Sequence, residues 1–427
     1  MVVQQLTLNP KDLIPRVVGR YSPVVVDRAE GIYVWDVDGT RYMDFTSGIA
    51  VVNTGHCHPH VVQAIQEQAA KIIHAQQNIL AHEPMMRAAV LLTETLPPNL
   101  NQVFWTNSGA EAVEGALKLA KVATGRPAFI AFRGAFHGRT HAAMSVTSSR
   151  SKVRGHYEPL LPGVYYAPYP YLFRNPYKGP AEDADLRYFA ELEHLFDTMV
   201  MPDDVAAVLM ETVIGEGGYL FPTKRWVHLV RELCTKHGIM LIMDEIQSGM
   251  GRTGKMWGFE HFDVTPDIIT VAKGIASGMP VSAVVSDRAI MDKWAPGSHG
   301  GTYGGNAVGT AAAAATLEVM RDERLPENAA KMGRILMDGL RGIQVDHPVI
   351  GDVRGLGLMV AAEFVQPDGS PNPVAVGRVI KACYEEHVLL INCGTYDQAI
   401  RIVPPLVVTE EQVRQFLGIF RNAVASL

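Results

Sequence analysis

The chain has 427 residues, 48% hydrophobic and 19% charged, enough for two or three domains with large buried cores, which excludes disorder. Its 38 Lys and Arg against 44 Asp and Glu leave a net charge of −6, without the basic excess that a nucleic-acid partner demands. No apolar run approaches the roughly 18 residues of a membrane span, and the opening MVVQQLTLNPKDLIPR has no apolar secretion core.

In chain order, residues 32–37 and 41–45 flank Asp38-Gly39, which predicts a hairpin in a small N-terminal meander. Short apolar runs then alternate with helical stretches, at residues 103–106, 128–132, 205–210, 239–243, 268–271 and 281–285. Near-continuous apolar strands separated by helices predict a largely parallel sheet covered on both faces, the α/β class. The Pro- and Tyr-rich residues 157–180 read as an ordered surface excursion, and the alanine run 311–315 as a close-packed helix. From about residue 320 the texture changes. Helical residues 327–340, strands near 358–364 and 400–403 and an amphipathic end at 410–425 predict a separate α+β domain. The expected division is an N-terminal segment 1–45 packing with the small domain, a large domain 46–319 and a C-terminal domain 320–427.

Four cysteines, Cys57, Cys234, Cys383 and Cys393, with no CxxC pair, argue for reduced thiols and a cytoplasmic setting. His56, Cys57, His58 and His60 crowd into TGHCHPH, but no second cluster has metal spacing. No metal site is expected; a turn of hydrogen-bonding imidazoles is preferred.

Three segments carry chemistry. In NSGAEAVEGALKLAKVATG (107–125), Ser108 and Glu111 form a capping box and Gly125 suits the residue that ends the helix. A strand there runs through a small-residue turn into a helix N-terminus, where Gly109 and Ala110 would let a phosphate approach. Alone, the box only caps a helix. In GIMLIMDEIQSGMGRTGKMWGFE (238–260), an apolar strand delivers Asp244 and Glu245 at its carboxyl end, where open α/β sheets place ligands. Gly249, Gly251 and Gly254 match G-x-G-x-x-G, yet the stretch after them lacks helical periodicity, which argues against a dinucleotide site. In PDIITVAKGIASGMPVSAVV (266–285), Lys273 follows an apolar strand; it is either a desolvated amine nucleophile or a solvated surface lysine. A phosphate cradle, a strand-end carboxylate and a strand-end lysine in that order match the phosphate, pyridine nitrogen and aldehyde of pyridoxal phosphate (PLP).

With GIAVVNTGHCHP, NSGAEA, FHGRT, ETVIGEGG, DEIQSGMGRTG, AKGIASGMP, GGTYGGN and NCGTYDQAIRIVPPL in order, the chain resembles the class III (ω-amino acid) aminotransferases of PLP fold type I, most closely 4-aminobutyrate aminotransferases. The resemblance runs from about Tyr21 to the C-terminus. It implies Lys273 as the residue of the internal aldimine and proton shuttle, and Asp244 as the partner of the pyridine nitrogen. It implies Ser108, Gly109 and Ala110 at the phosphate, Phe136 on the ring face, and His137, Glu211, Ile246 and Gln247 around the cofactor. Thr302 would reach the phosphate of a neighbouring subunit, in a homodimer or a tetramer of such dimers. Arg401 would bind an α-carboxylate, Glu216 would neutralise it for donors lacking one, Arg139 would hold the distal carboxylate and Ile49 would line the pocket. The implied reaction moves the amino group of 4-aminobutyrate or a similar ω-amino acid to an oxoacid, 2-oxoglutarate. A racemase or a broad amine–pyruvate transaminase of the same family is the alternative. One departure bears on the donor: the family's EPVQGEGG reads here Glu211-Thr212-Val213-Ile214 before GEGG.

Overall fold

The structure is a computed structural model that describes residues 13–427; the opening residues 1–12 of the polar N-terminal stretch lie outside the described residues. Three sheets organise it. The first is an N-terminal meander of β1 (Val26–Glu30), β2 (Tyr33–Asp36) and β3 (Arg41–Asp44). The central sheet takes β4 (Gln102–Thr106), β5 (Ala128–Phe132), β6 (Val164–Ala167), β7 (Val205–Glu211), β8 (Met240–Asp244), β9 (Ile268–Val271) and β10 (Ser282–Ser286). The C-terminal part supplies β11 (Ile350–Leu356), β12 (Met359–Phe364), β13 (Val388–Leu389), β14 (Ile391–Cys393) and β15 (Ala399–Ile402).

The central order is β4-β10-β9-β8-β7-β5-β6. Its pairs are parallel except those of β10, which runs against both neighbours. Every residue of β5, β7, β9 and β10 is buried, as the unbroken apolar runs predict for a sheet with helices on both faces. This parallel-rich α/β architecture is that of fold type I. Strand β13 pairs in parallel with β3, so the C-terminal stretch completes the N-terminal sheet.

Two expectations change. Residues 157–180 are not only a surface excursion: they contribute edge strand β6 and send Tyr169 inside, 4% exposed. Its ring meets Phe132 and Trp226 edge-on at 5.6 and 5.4 Å, contacts worth about 0.5–1.5 kcal/mol each. The helix Gly109–Thr124 begins with half of the expected box. Ser108 Oγ accepts from Glu111 N, but the Glu111 carboxylate reaches back to Asn107 N at 2.8 Å. Gly125 ends the helix at φ 71, as expected.

The glycines of GMGRTG serve packing. A Cβ on Gly254 would stand 3.0 Å from the Ala330 backbone, in the helix Leu325–Asp346. Between them Arg252, fully buried, donates to the carbonyls of Leu358 and Pro404 and to Asn53 Oδ1. In TGHCHPH the three imidazoles diverge, His56 to Asp44, His58 to Glu323 and His60 to Glu318. No described helix is long and apolar enough to cross a membrane.

Candidate active site

The carboxyl ends of the central strands converge on a cavity of ≈ 450 Å³. Parallel pairing sets Glu211, the last residue of β7, beside Asp244, the last of β8, and Asp244 beside Thr270 of β9. Just beyond β9, Lys273 opens a one-turn helix at φ 47, a left-handed conformation that costs a non-glycine residue about 1–3 kcal/mol. Such strain persists only where surrounding packing fixes it, and here it directs a lysine to the cavity wall.

Electrostatics suits that lysine to nucleophilic work. Burial lowers its pKa, although the charges of Asp244, Glu211 and Glu216 oppose the shift. Asp244 is 3% exposed and fully engaged. Its Oδ2 lies 2.7 Å from His137 Nδ1, and its Oδ1 accepts from Thr270 Oγ1 at 3.0 Å and Ile246 N at 3.1 Å. His137 lines the cavity, and its buried Nε2 has no partner among the described residues. Ser108, Gly109 and Ala110 line the cavity where the helix Gly109–Thr124 begins. Within the chain, the described residues offer no hydrogen-bond partner to the Gly109 and Ala110 N–H groups. Phe136, Arg139 and Ile246 complete the walls, the Arg139 guanidinium carbon 5.2 Å from the Phe136 ring centre.

A buried amine, an aromatic face and a helix N-terminus around one cavity, with a buried carboxylate one hydrogen bond behind its His137 wall, suit a flat cofactor that carries a phosphate and a carbonyl. The comparisons identify the family. The family model for class-III aminotransferases matches residues 16–424. A 5-aminovalerate aminotransferase of Pseudomonas aeruginosa is 41% identical over 97% of this chain and 96% of its own. The 4-aminobutyrate aminotransferase of Escherichia coli is 40% identical over 97% of both chains. The chain belongs to the class-III aminotransferases. Among solved structures, taurine:2-oxoglutarate aminotransferase from Bifidobacterium kashiwanohense, in complex with PLP and glutamate, superposes at a TM-score of 0.88. It is 30% identical, over 94% of this chain and 92% of that one.

In this aminotransferase Glu216 and Arg401 meet, Arg401 Nη1 donating to Glu216 Oε1 at 2.6 Å. Arg401 is fully buried in β15. Burial alone would raise the Glu216 pKa; the Arg401 charge and hydrogen bond, with Lys273 and Arg150 nearby, hold it below the usual carboxylate range. Burial likewise works against the Arg401 charge, and Glu216, Tyr219 and Cys393 together outweigh it.

Neither Glu216 nor Arg401 lines the 450 Å³ cavity, and the same holds for Glu211, Gln247, Ile49 and Thr302. Glu211 is buried with both oxygens on backbone amides, Oε1 on Phe136 N at 2.7 Å and Oε2 on Gly215 N at 2.8 Å. Burial pushes its pKa up to about 7, with Asp244 adding to the rise and His137 opposing it. Gln247 Oε1 accepts from Tyr219 Oη at 2.8 Å. Ile49, at φ 67, lines a separate cavity of ≈ 390 Å³ with Thr46, Tyr384 and Ile391. Thr302 lies exposed at the surface in its GGTYGG loop.

Sequence reasoning missed the supporting groups. Thr270 and Thr147 fix Asp244 and the His137 backbone, and only strand register brings the first to its place. Thr212, where the family commonly has proline, donates to Glu245. Glu245 also accepts from Ser248 Oγ and from the N–H groups of Gly258 and Phe259. The departure thus has a structural use beside the site.

Proposed function

We propose that this class-III aminotransferase binds PLP in the 450 Å³ cavity and moves the terminal amino group of 4-aminobutyrate, or a chain of similar length, to 2-oxoglutarate. When bound, the cofactor supplies an aldehyde that takes up the amine and a ring that withdraws electrons from the carbon bearing it. Gly109 and Ala110 hold the phosphate with backbone N–H groups at the positive end of their helix. Asp244 would meet the ring nitrogen, and its contacts with His137 Nδ1, Thr270 Oγ1 and Ile246 N keep it aimed. Lys273 would hold the cofactor through its amine, and the same amine would carry the proton away from the amine-bearing carbon of the substrate.

The observation that carries the substrate reading is the 2.6 Å Glu216–Arg401 pair. A neutralised arginine accepts a donor without an α-carboxylate, and an exposed one accepts an oxoacid with it. Arg139 at the cavity wall supplies the second cation, for the distal carboxylate. Arg139→Ala is expected to lower kcat/KM for 4-aminobutyrate by about 10- to 100-fold, the value of a hydrogen bond to a charged group. Turnover of 1-aminobutane, which has no carboxylate, should stay within about threefold. Equal losses on the two amines would remove the carboxylate role.

The same reading includes a homodimer with shared sites. Thr302 stands exposed beside exposed Tyr303, and Ile73, Ile79 and Leu80 are exposed as well, an apolar surface that a second copy would cover. A cytoplasmic setting is proposed from the four free thiols, three of them buried.

A further inference from the structure

The Glu216 side chain is 22% exposed, so water solvates its charge only in part and a counter-ion favours it in both halves of the reaction. With a donor lacking an α-carboxylate, Arg401 fills that role. When a dicarboxylic oxoacid takes Arg401, Glu216 is left facing its desolvation unless a second cation is within reach. Two further positive groups act on Glu216, Lys273 and Arg150. Lys273 is committed to the cofactor and to proton transfer. Arg150 has no role in the chemistry described above.

The position of Arg150 suits the task. One glycine joins it to the gate: Arg150 Nη2 donates to Gly394 O at 2.9 Å, and Gly394 N donates to the Glu216 carbonyl at 2.9 Å. The Arg150 side chain is 14% exposed, and its buried Nε has no hydrogen-bond partner among the described residues. Its present anion is Asp397, at 2.6 Å from Nη1. The Asp397 side chain is 40% exposed, so water can replace the arginine there. Arg150 therefore holds one partner that can leave and one donor that is unused.

We propose that Arg150 is a specificity-determining residue, the second seat to which the Glu216 carboxylate moves when the acceptor's α-carboxylate occupies Arg401. This rests on the gate reading under Proposed function and adds the residue that makes the exchange affordable in a buried site.

The test separates the two half-reactions in the PLP-loaded enzyme. Arg150→Met keeps the length and apolar stem and removes the charge. The donor half-reaction with 4-aminobutyrate should stay within threefold of the unaltered enzyme, and so should amine return to 4-oxobutanoate, an acceptor with no α-carboxylate. Apparent affinity for 2-oxoglutarate should fall at least tenfold. Arg150→Lys, which restores a cation, should recover most of that loss. Asp397→Asn frees the arginine, so it should leave 2-oxoglutarate affinity unchanged or improved. A crystal structure with glutamate bound should place the Glu216 carboxylate on Arg150. If Arg150 were only a latch on the 394–397 loop, Arg150→Met and Asp397→Asn would weaken both half-reactions alike. That outcome, or Glu216 remaining on Arg401 with glutamate bound, overturns the proposal. Failure of the unaltered enzyme to react with either substrate would instead overturn the substrate reading.

Discussion

Replacing Lys273 by alanine is expected to abolish transamination, with turnover down by at least about 10⁴-fold, the upper end of what a positioned proton-transfer group contributes. The reason is that no other amine shares this wall of the cavity among the described residues. The protein itself should survive the change. Among the described residues Lys273 is paired with no carboxylate within salt-bridge distance, and burial disfavours its charged form, so removing the amine removes a cost. The thermal midpoint of the cofactor-free variant should therefore match or exceed that of the unaltered protein. The visible band of lysine-bound PLP should be missing even at saturating cofactor. A midpoint that collapses along with activity would make Lys273 a structural residue first.

Asp244→Asn should cost about 10²–10³-fold in kcat, the scale seen when one preorganised electrostatic group is removed. Asparagine still offers an oxygen to Ile246 N and Thr270 Oγ1, and its amide can face His137, whose ring nitrogens exchange donor and acceptor roles. Shape and hydrogen bonding are thus kept while the charge facing the ring nitrogen is lost. Both half-reactions should suffer equally, because both draw electrons into the same ring. A variant retaining more than a tenth of kcat would show that this carboxylate does not sustain the chemistry.

Much of this was readable from the chain because the relevant signals are local. The helix Gly109–Thr124 announces its start with Ser108 and its end with Gly125. Five apolar runs fell within about a residue of β4, β5, β8, β9 and β10, and β7 runs one residue past its predicted end, because strands buried on both faces leave no ambiguity of period. The short and marginal strands were not legible. β6 hides among prolines at a sheet edge, and β13 and β14 have two and three residues, too few for any period to show. The site followed the same divide. Asp244 ends β8 and Lys273 follows just after β9, so both could be read from order alone. The contacts that tune them cross long stretches of chain: His137 to Asp244 spans 107 residues, and Glu216 to Arg401 spans 185. Ile49 stands at a left-handed φ of 67 and lines a neighbouring cavity, a placement that neither spacing nor composition signals.

The most direct measurement is an absorbance spectrum of the PLP-reconstituted enzyme before and after addition of 4-aminobutyrate with no oxoacid present. The account predicts that the band of lysine-bound cofactor forms and then bleaches to the pyridoxamine form, and that 2-oxoglutarate restores it. A band that forms and stays unchanged with saturating 4-aminobutyrate and with 5-aminovalerate would contradict it.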